Sequence, residues 1–142
     1  MRSIKFLVLL IAACGSETSV KPSTPAGPAL VSALQGAWCF SNDDGRSCWG
    51  WDVYVDSETI EACGRFPKDG NAFRARVKFR VDGTRACYEV TESNHFKALP
   101  VGVKVCATVL EINGTHLRYR INGPIETAYR APLSSVKCPS DD

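Results

Sequence analysis

The stretch of residues 73–81 constrains the fold of this chain more than any other part of its sequence. Its odd positions are apolar and its even positions are basic, in the order Phe-Arg-Ala-Arg-Val-Lys-Phe-Arg-Val. Because successive side chains of a β-strand point to opposite faces, this alternation predicts a strand with one face buried and the other in water. We therefore expect a sheet with one apolar side.

The same alternation recurs in shorter runs, and turn-forming residues separate them. Asn113-Gly114 fits a type I′ hairpin turn, and Asp82-Gly83 marks another turn. Short strands at regular spacing predict an all-β domain built as a small antiparallel barrel, with a β-sandwich as the alternative. We expect eight strands, at about residues 36–41, 47–55, 58–64, 72–81, 84–91, 101–112, 115–121 and 125–130.

The first residues have the pattern of a secretory signal peptide. Arg2 and Lys5 precede an apolar run over residues 6–13, and the run ends on two alanines. A membrane-spanning helix needs about 20 apolar residues, so this run is too short to be one. We expect residues 1–13 to be removed from the mature protein.

Residues 11–14, Ile-Ala-Ala-Cys, resemble the lipobox of bacterial lipoproteins. That resemblance implies cleavage before Cys14 and lipid attached to its thiol and to the new amino group. Two or three acyl chains give durable membrane anchoring, whereas one holds a protein only weakly. Gly15 follows where inner-membrane lipoproteins tend to have Asp, so the resemblance places the protein in a bacterial cell envelope, at the outer membrane of a Gram-negative cell.

The expected cleavage also changes the charge of the protein. The whole chain has 17 Lys and Arg against 15 Asp and Glu. Residues 1–13 contain two positive charges and no negative one, so 15 of each remain after cleavage. A near-neutral domain offers no electrostatic argument for nucleic acid as a partner.

Seven cysteines are present, an odd number that needs an explanation in a secreted chain. If Cys14 carries lipid, six cysteines remain for three disulfides, which fits an oxidising compartment. Cys87 and Cys106 flank a predicted hairpin, so we favour that bridge. The other four cysteines allow three pairings, of which we favour the bridges Cys39–Cys48 and Cys63–Cys138.

The chain divides into an anchor, a tether and one domain. Residues 14–33 are small, polar and rich in proline, and Pro22, Pro25 and Pro28 disfavour helix and strand. We expect this segment to be an extended tether. Residues 34–138 then form the β domain, and residues 139–142 a short tail.

The start of the domain resembles the first strand of lipocalin-like barrels. Residues 34–38 read Leu-Gln-Gly-Ala-Trp and contain the Gly-x-Trp pattern of that family. The resemblance implies that Trp38 lies at the closed end of the barrel. It also implies that an arginine of the last strand packs over this tryptophan, and Arg130 is the candidate.

Two groups of side chains are candidates for binding. The tryptophans Trp38, Trp49 and Trp51 fall on the apolar face, which favours core packing, but in an open barrel they would line an apolar pocket. The basic stripe comprises Arg74, Arg76, Lys78 and Arg80. We favour a solvated face balanced by acids such as Glu89 or Glu126, with docking of an anionic partner as the alternative.

No catalytic, cofactor or metal motif stands out in the sequence. His95 and His116 lack partners at metal-ligand spacing, and we expect both at the solvated surface. We therefore expect a protein that is not an enzyme: a lipid-anchored envelope module that binds an apolar small molecule or a macromolecule. The alternatives are an inhibitor of a host or competitor enzyme such as lysozyme, and a structural envelope lipoprotein.

Overall fold

Residues 24–140 are described by the computed structural model, and their strands close into an antiparallel barrel. Each strand pairs with its neighbours in sequence, and β1 pairs with β8, so no sheet edge remains. The predicted barrel is confirmed, and the sandwich alternative is wrong. The strands are β1 (Gly36–Phe40), β2 (Gly50–Tyr54), β3 (Thr59–Arg65), β4 (Ala72–Asp82), β5 (Arg85–Ser93), β6 (Lys104–Ile112), β7 (His116–Arg120) and β8 (Glu126–Ala131).

Strand β4 has the two faces that its alternating sequence predicts. Phe73, Ala75 and Phe79 are buried inside the barrel, while the basic residues between them are exposed. The pairing of β4 with β5 shifts register between Arg76 and Val77, which marks a β-bulge. A bulge increases the local bend of a strand and helps a small sheet to close on itself.

Strand β2 departs from the expected face. We predicted that Trp49 and Trp51 lie on the apolar face, but the strand turns Gly50, Asp52 and Tyr54 inward and Trp51 outward. Trp49 lies just before the strand, and its side chain still reaches the interior from the loop. Inward and outward side chains alternate within β2, but the alternation breaks at Gly50, so Trp49 and Trp51 do not share a face. The expected orientation of Trp51 is therefore wrong.

The glycine Gly64 explains why Trp49 can lie so close to β3. A Cβ atom at Gly64 would stand 2.3 Å from the carbonyl oxygen of Trp49 and 2.5 Å from the Cα atom of Gly50. The Arg65 amide donates a 2.7 Å hydrogen bond to that same carbonyl oxygen. Only a residue without a side chain permits this approach of the two backbones.

A helix closes one end of the barrel, where we expected an extended tether. Helix α1 (Pro28–Leu34) buries Leu30 and Leu34, one turn apart on the same face. Its proline stands in the first turn, where no intrahelical hydrogen bond is lost, so the expectation that Pro28 disfavours helix is wrong. Before the helix, Thr24 donates a hydrogen bond to the Leu110 carbonyl, at 2.8 Å. The described part of the expected tether is therefore packed against the barrel.

The two ends of the barrel differ. Short turns at residues 55–58, 83–84 and 113–115 join strands at the end that α1 covers. Longer loops, at residues 41–49, 66–71, 94–103 and 121–125, join the strands at the opposite end. We call these the closed end and the open end.

Three disulfides form in the structure, and all three have the pairing that we favoured. Cys39, Cys63, Cys87 and Cys106 lie on strands, with their side chains on the outer side of the barrel. Cys39 and Cys63 are nevertheless buried, because Trp51 pairs across from both and the C-terminal segment covers this side. The bridges are Cys39–Cys48, Cys63–Cys138 and Cys87–Cys106.

Cys14, the expected signal peptide and most of the expected tether lie outside the described residues. Within residues 24–140, no helix is long and apolar enough to cross a membrane.

Candidate ligand-binding cavity

The barrel encloses a cavity of about 290 Å³ that opens toward its open end. Small-molecule sites in proteins usually measure roughly 300–1,000 Å³ and have mostly apolar walls, so this cavity is at the small end of that range. Side chains from all eight strands and from the four loops of the open end line it, nearly all of them aromatic or aliphatic. The interior is therefore partly open, and its walls suit an apolar ligand.

The floor of the cavity is rigid. Trp38 is 1% exposed, and its indole N–H donates a 2.8 Å hydrogen bond to the Leu34 carbonyl of α1. The Arg130 guanidinium lies 3.9 Å from the centre of the Trp38 ring. Trp38 is thus a buried structural residue of the closed end, where the resemblance to lipocalin-like barrels implied that it would lie.

Aromatic rings surround the mouth of the cavity. The Trp49 ring centre lies 5.6 Å from that of Phe40 and 6.4 Å from those of Phe66 and Phe73. His95 packs edge-on against Phe66, with ring centres 5.2 Å apart. His95 is therefore half-buried at the mouth, where we expected a solvated side chain. Of the three tryptophans, Trp49 is the one best placed to contact a ligand.

Asp52 is a site residue that the sequence did not reveal. It faces the cavity from the middle of β2, and among residues 24–140 no other carboxyl lines the cavity wall. Burial raises the pKa of this carboxyl from 3.8 to about 7, because protein atoms replace the water that would stabilise its charge. No hydrogen bond or ion pair from the described residues compensates it. The cavity thus contains one uncompensated acidic group.

Three tyrosines complete the polar layer of the cavity. The hydroxyls of Tyr54 and Tyr88 share a hydrogen bond of 3.0 Å, and Tyr119 lines the wall from β7. Burial raises the pKa of Tyr88 to about 12, and the nearby charge of Asp52 contributes to that shift. The pKa values of Tyr54 and Tyr119 are raised as well, with burial again as the main cause. The hydroxyls therefore stay protonated at neutral pH.

Exposed apolar side chains are concentrated at the open end. Phe96 is 72% exposed and Val101 is 54% exposed, and both belong to the loop between β5 and β6. Ile121 and Ile125 are also exposed, on the loop between β7 and β8. An apolar rim beside an apolar cavity is a common feature of binding sites.

The basic stripe lies on the outside of the barrel, away from the cavity. Arg76 forms ion pairs with Glu92 at 3.3 Å and with Glu61 at 3.8 Å, and Arg74 donates hydrogen bonds to the Pro139 carbonyl. Glu89 stands opposite Lys78 in the pairing of β4 with β5, as expected, whereas Glu126 belongs to β8 and is not a neighbour of the stripe. Acids of the adjacent strands therefore balance much of its charge.

No group of His, Cys, Asp or Glu side chains in residues 24–140 is arranged to hold a metal ion. His116 lies on the outer surface, with its Nε2 atom 3.3 Å from a carboxylate oxygen of Glu111.

Comparison with known proteins identified no relative of this chain. No protein-family model, no curated protein and no solved structure matches the chain. The fold and the cavity thus define the chain as a small, disulfide-linked β-barrel with an apolar interior site. The resemblances to lipoproteins and to lipocalin-like barrels remain predictions from the sequence.

Proposed function

We propose that this protein is a lipid-anchored module of a bacterial envelope that binds a small apolar molecule inside its barrel. The observation that carries the proposal is the cavity of about 290 Å³ with nearly continuous aromatic and aliphatic walls. Transfer of apolar surface from water into such a cavity stabilises a complex by roughly 25 cal/mol for each Å² buried. The exposed apolar rim gives a ligand a route from a membrane or a carrier to the cavity.

The rigid construction of the barrel also supports a binding role. Three disulfides and the plug formed by α1 hold the walls in place before a ligand arrives. A site that is formed in advance loses little conformational entropy on binding. We place lipid on Cys14 because of the lipobox pattern, and lipid there would hold the barrel near a membrane surface.

Binding can be tested by isothermal titration calorimetry with the probe n-butylbenzene, which is apolar, uncharged and limited to one aromatic ring with a short side chain. We expect saturable binding to the oxidised protein, with a dissociation constant in the micromolar range. Ala75→Phe adds a ring to the cavity wall and should weaken binding by about tenfold or more, since it fills space that the probe needs.

The matched control is Thr108→Phe, which adds the same ring to an exposed position of β6 and should leave binding unchanged. Circular dichroism would verify that both variants are folded. If the folded wild-type protein binds no probe, or if both variants bind as well as the wild type, the cavity is not a ligand site and the proposal is wrong.

The anchor can be tested in a bacterial host. We expect globomycin to block processing of the chain and labelled palmitate to be incorporated, and we expect Cys14→Ala to abolish both effects. Ser16→Ala, two residues further on, is the control and should behave as the wild type. Palmitate incorporation that persists in Cys14→Ala would contradict lipid attachment at this cysteine.

A further inference from the structure

The cavity has an acidic group that the binding of a purely apolar molecule does not use. Asp52 faces the interior from β2 between two neighbours in the strand pairing, Trp38 on β1 and Ala62 on β3, neither of which can neutralise it. Burying a carboxylate without a partner is costly, and natural proteins usually pair such a group or replace it. A ligand that supplies the partner would remove that cost.

From this geometry we propose that the cavity selects a small amphiphilic amine, whose ammonium group pairs with Asp52 and whose apolar body lies among the aromatic rings nearer the mouth. This inference rests on the proposed function of the cavity, and it names the chemical class of the ligand. No Lys, Arg or His of residues 24–140 lines the cavity. The positive charge that complements Asp52 is thus assigned to the ligand.

The tyrosines around Asp52 fit an ammonium group as well. An ammonium has three N–H donors and no acceptor, so it needs more than one oxygen around it. The Asp52 carboxylate provides two oxygens, and the hydroxyl oxygens of Tyr88 and Tyr119, on other sides of the wall, can accept further hydrogen bonds. The influence of the Asp52 charge on the pKa of Tyr88 and of Tyr119 indicates that these groups lie near one another.

The same arrangement disfavours anionic ligands. A carboxylate or phosphate ligand would bring a second negative charge toward Asp52 in a site whose walls are mostly apolar, where like charges repel more strongly than in bulk water. A neutral alcohol would gain a hydrogen bond but would leave the charge of Asp52 uncompensated. The head group of the ligand should therefore decide its affinity, while the apolar body supplies the general attraction.

The size of the cavity limits the apolar body. A volume of about 290 Å³ suits a single aromatic ring with a short side chain, or an alkyl chain of about eight carbons. Longer chains would have to extend through the mouth past Phe66 and Leu99, which line the cavity from the loops of the open end.

Three probes with the same eight-carbon chain test the proposal: octylamine, 1-octanol and octanoate. Isothermal titration calorimetry with the oxidised protein at pH 8 measures each affinity while Asp52 is mostly ionised. We expect octylamine to bind about tenfold or more tightly than 1-octanol, and octanoate to bind most weakly. Asp52→Asn, which keeps the shape of the side chain but removes its charge, should reduce the preference for octylamine over 1-octanol to less than about twofold.

Asp82→Asn is the matched control, because it removes an exposed carboxyl at the closed end of β4 and should leave all three affinities unchanged. If 1-octanol or octanoate binds the wild-type protein as tightly as octylamine, or if Asp52→Asn keeps the full preference, the assignment of an amine is wrong. The comparison of the three probes on the wild-type protein decides the question even if the variant is unstable. Failure of all three probes to bind would instead count against the cavity as a ligand site.

Discussion

The guanidinium carbon of Arg130 lies over the indole of Trp38, 3.9 Å from the ring centre, and the same group also binds the end of helix α1. It donates hydrogen bonds to the carbonyl of Gln35 at 2.6 Å and to that of Ala33 at 2.9 Å. The last carbonyls of a helix have no partner within the helix, and a cation there also interacts well with the helix dipole. The register of β1 and β8 sets Arg130 directly opposite Trp38, so one residue joins the first strand, the last strand and the helix.

Replacement of Arg130 should therefore destabilise the closed end. We expect Arg130→Ala to lower the free energy of unfolding by about 2–3 kcal/mol, and Arg130→Lys by about 1–2 kcal/mol, since lysine keeps the charge but cannot stack and bond to both carbonyls at once. Urea unfolding followed by tryptophan fluorescence measures both. Arg120→Ala, at an exposed position of β7, is the control and should cost less than about 0.5 kcal/mol. Equal losses at the two positions would contradict the role of Arg130.

The buried carboxyl of Asp52 should make the stability of the barrel depend on pH. Its pKa rises from 3.8 to about 7 on folding. Below pH 4 the carboxyl is protonated in both the folded and the unfolded chain, and burial involves a neutral group. Between pH 4 and pH 7 the unfolded chain releases this proton while the folded protein keeps it, so the stability that the neutral form contributes falls across this range and is fully lost once the pH has risen through the folded pKa of about 7.

We therefore expect Asp52→Asn to raise the free energy of unfolding at pH 8 by about 2–4 kcal/mol and to change it little at pH 4. Urea titrations of both proteins at pH 4, 6 and 8 measure the difference, in which the other titrating groups cancel. Asp82→Asn should give a small difference at every pH. A difference for Asp52→Asn that is the same at pH 4 and pH 8 would show that the folded carboxyl has an ordinary pKa.

Helix α1 should behave as part of the barrel domain. Leu30 is fully buried, and Leu30→Ala should cost about 2–4 kcal/mol of unfolding free energy through lost burial and the cavity that remains. Leu133→Ala, at a position that is 64% exposed, should cost less than about 0.5 kcal/mol. Thermal or urea unfolding measures both. If Leu30→Ala is as mild as Leu133→Ala, the helix does not contribute to the core.

The three disulfides should differ in what they contribute. Cys63–Cys138 joins residues 75 positions apart, whereas Cys87–Cys106 spans 19 and Cys39–Cys48 spans 9. Because longer loops lose more chain entropy when they are closed, replacement of both cysteines by alanine should cost about 4–5 kcal/mol for Cys63–Cys138 and about 3 kcal/mol for each of the others. Urea unfolding of the three double variants gives the order, and an equal cost for all three would contradict this account.

Local patterns in the sequence were enough to predict the strands, the closed barrel and the disulfide pairing. In β4, the alternation of apolar and basic residues directly indicates which face is buried, because a shift of one residue would bury the basic side chains and expose the apolar ones. The resemblance around Trp38 also anticipated its contact with Arg130. Most of these predictions depended on short-range spacing or on one pair of strands that are adjacent in the barrel. The Cys63–Cys138 bridge is different, because it was a preference among three possible pairings and joins residues 75 positions apart.

Sequence-based predictions of side-chain orientation and of the tether failed where contacts between distant parts of the chain set the outcome. The sequence pattern placed Trp51 on the apolar face, and the same alternation would turn its neighbour Asp52 outward, since burial of a tryptophan is favourable and burial of a carboxyl is not. In the structure Asp52 points inward and Trp51 points outward. The outer position is acceptable for Trp51 because two neighbouring disulfides and the C-terminal segment cover its side chain. Similarly, the prolines suggested an extended tether, but Leu30 and Leu34 are one helical turn apart and find an open barrel end to fill.

The sequence by itself determined that this chain forms an all-β domain; it favoured a small barrel with three disulfides over a sandwich, and it predicts a lipid anchor at Cys14. Periodicity and the number and spacing of cysteines carry that information, because they depend on the chain alone. Only the tertiary structure decided that the interior is partly open, that α1 closes one end, and that Asp52 faces the cavity without a partner among residues 24–140. Those features depend on how eight strands curve and which surfaces cover them, and no single segment of the sequence contains that information.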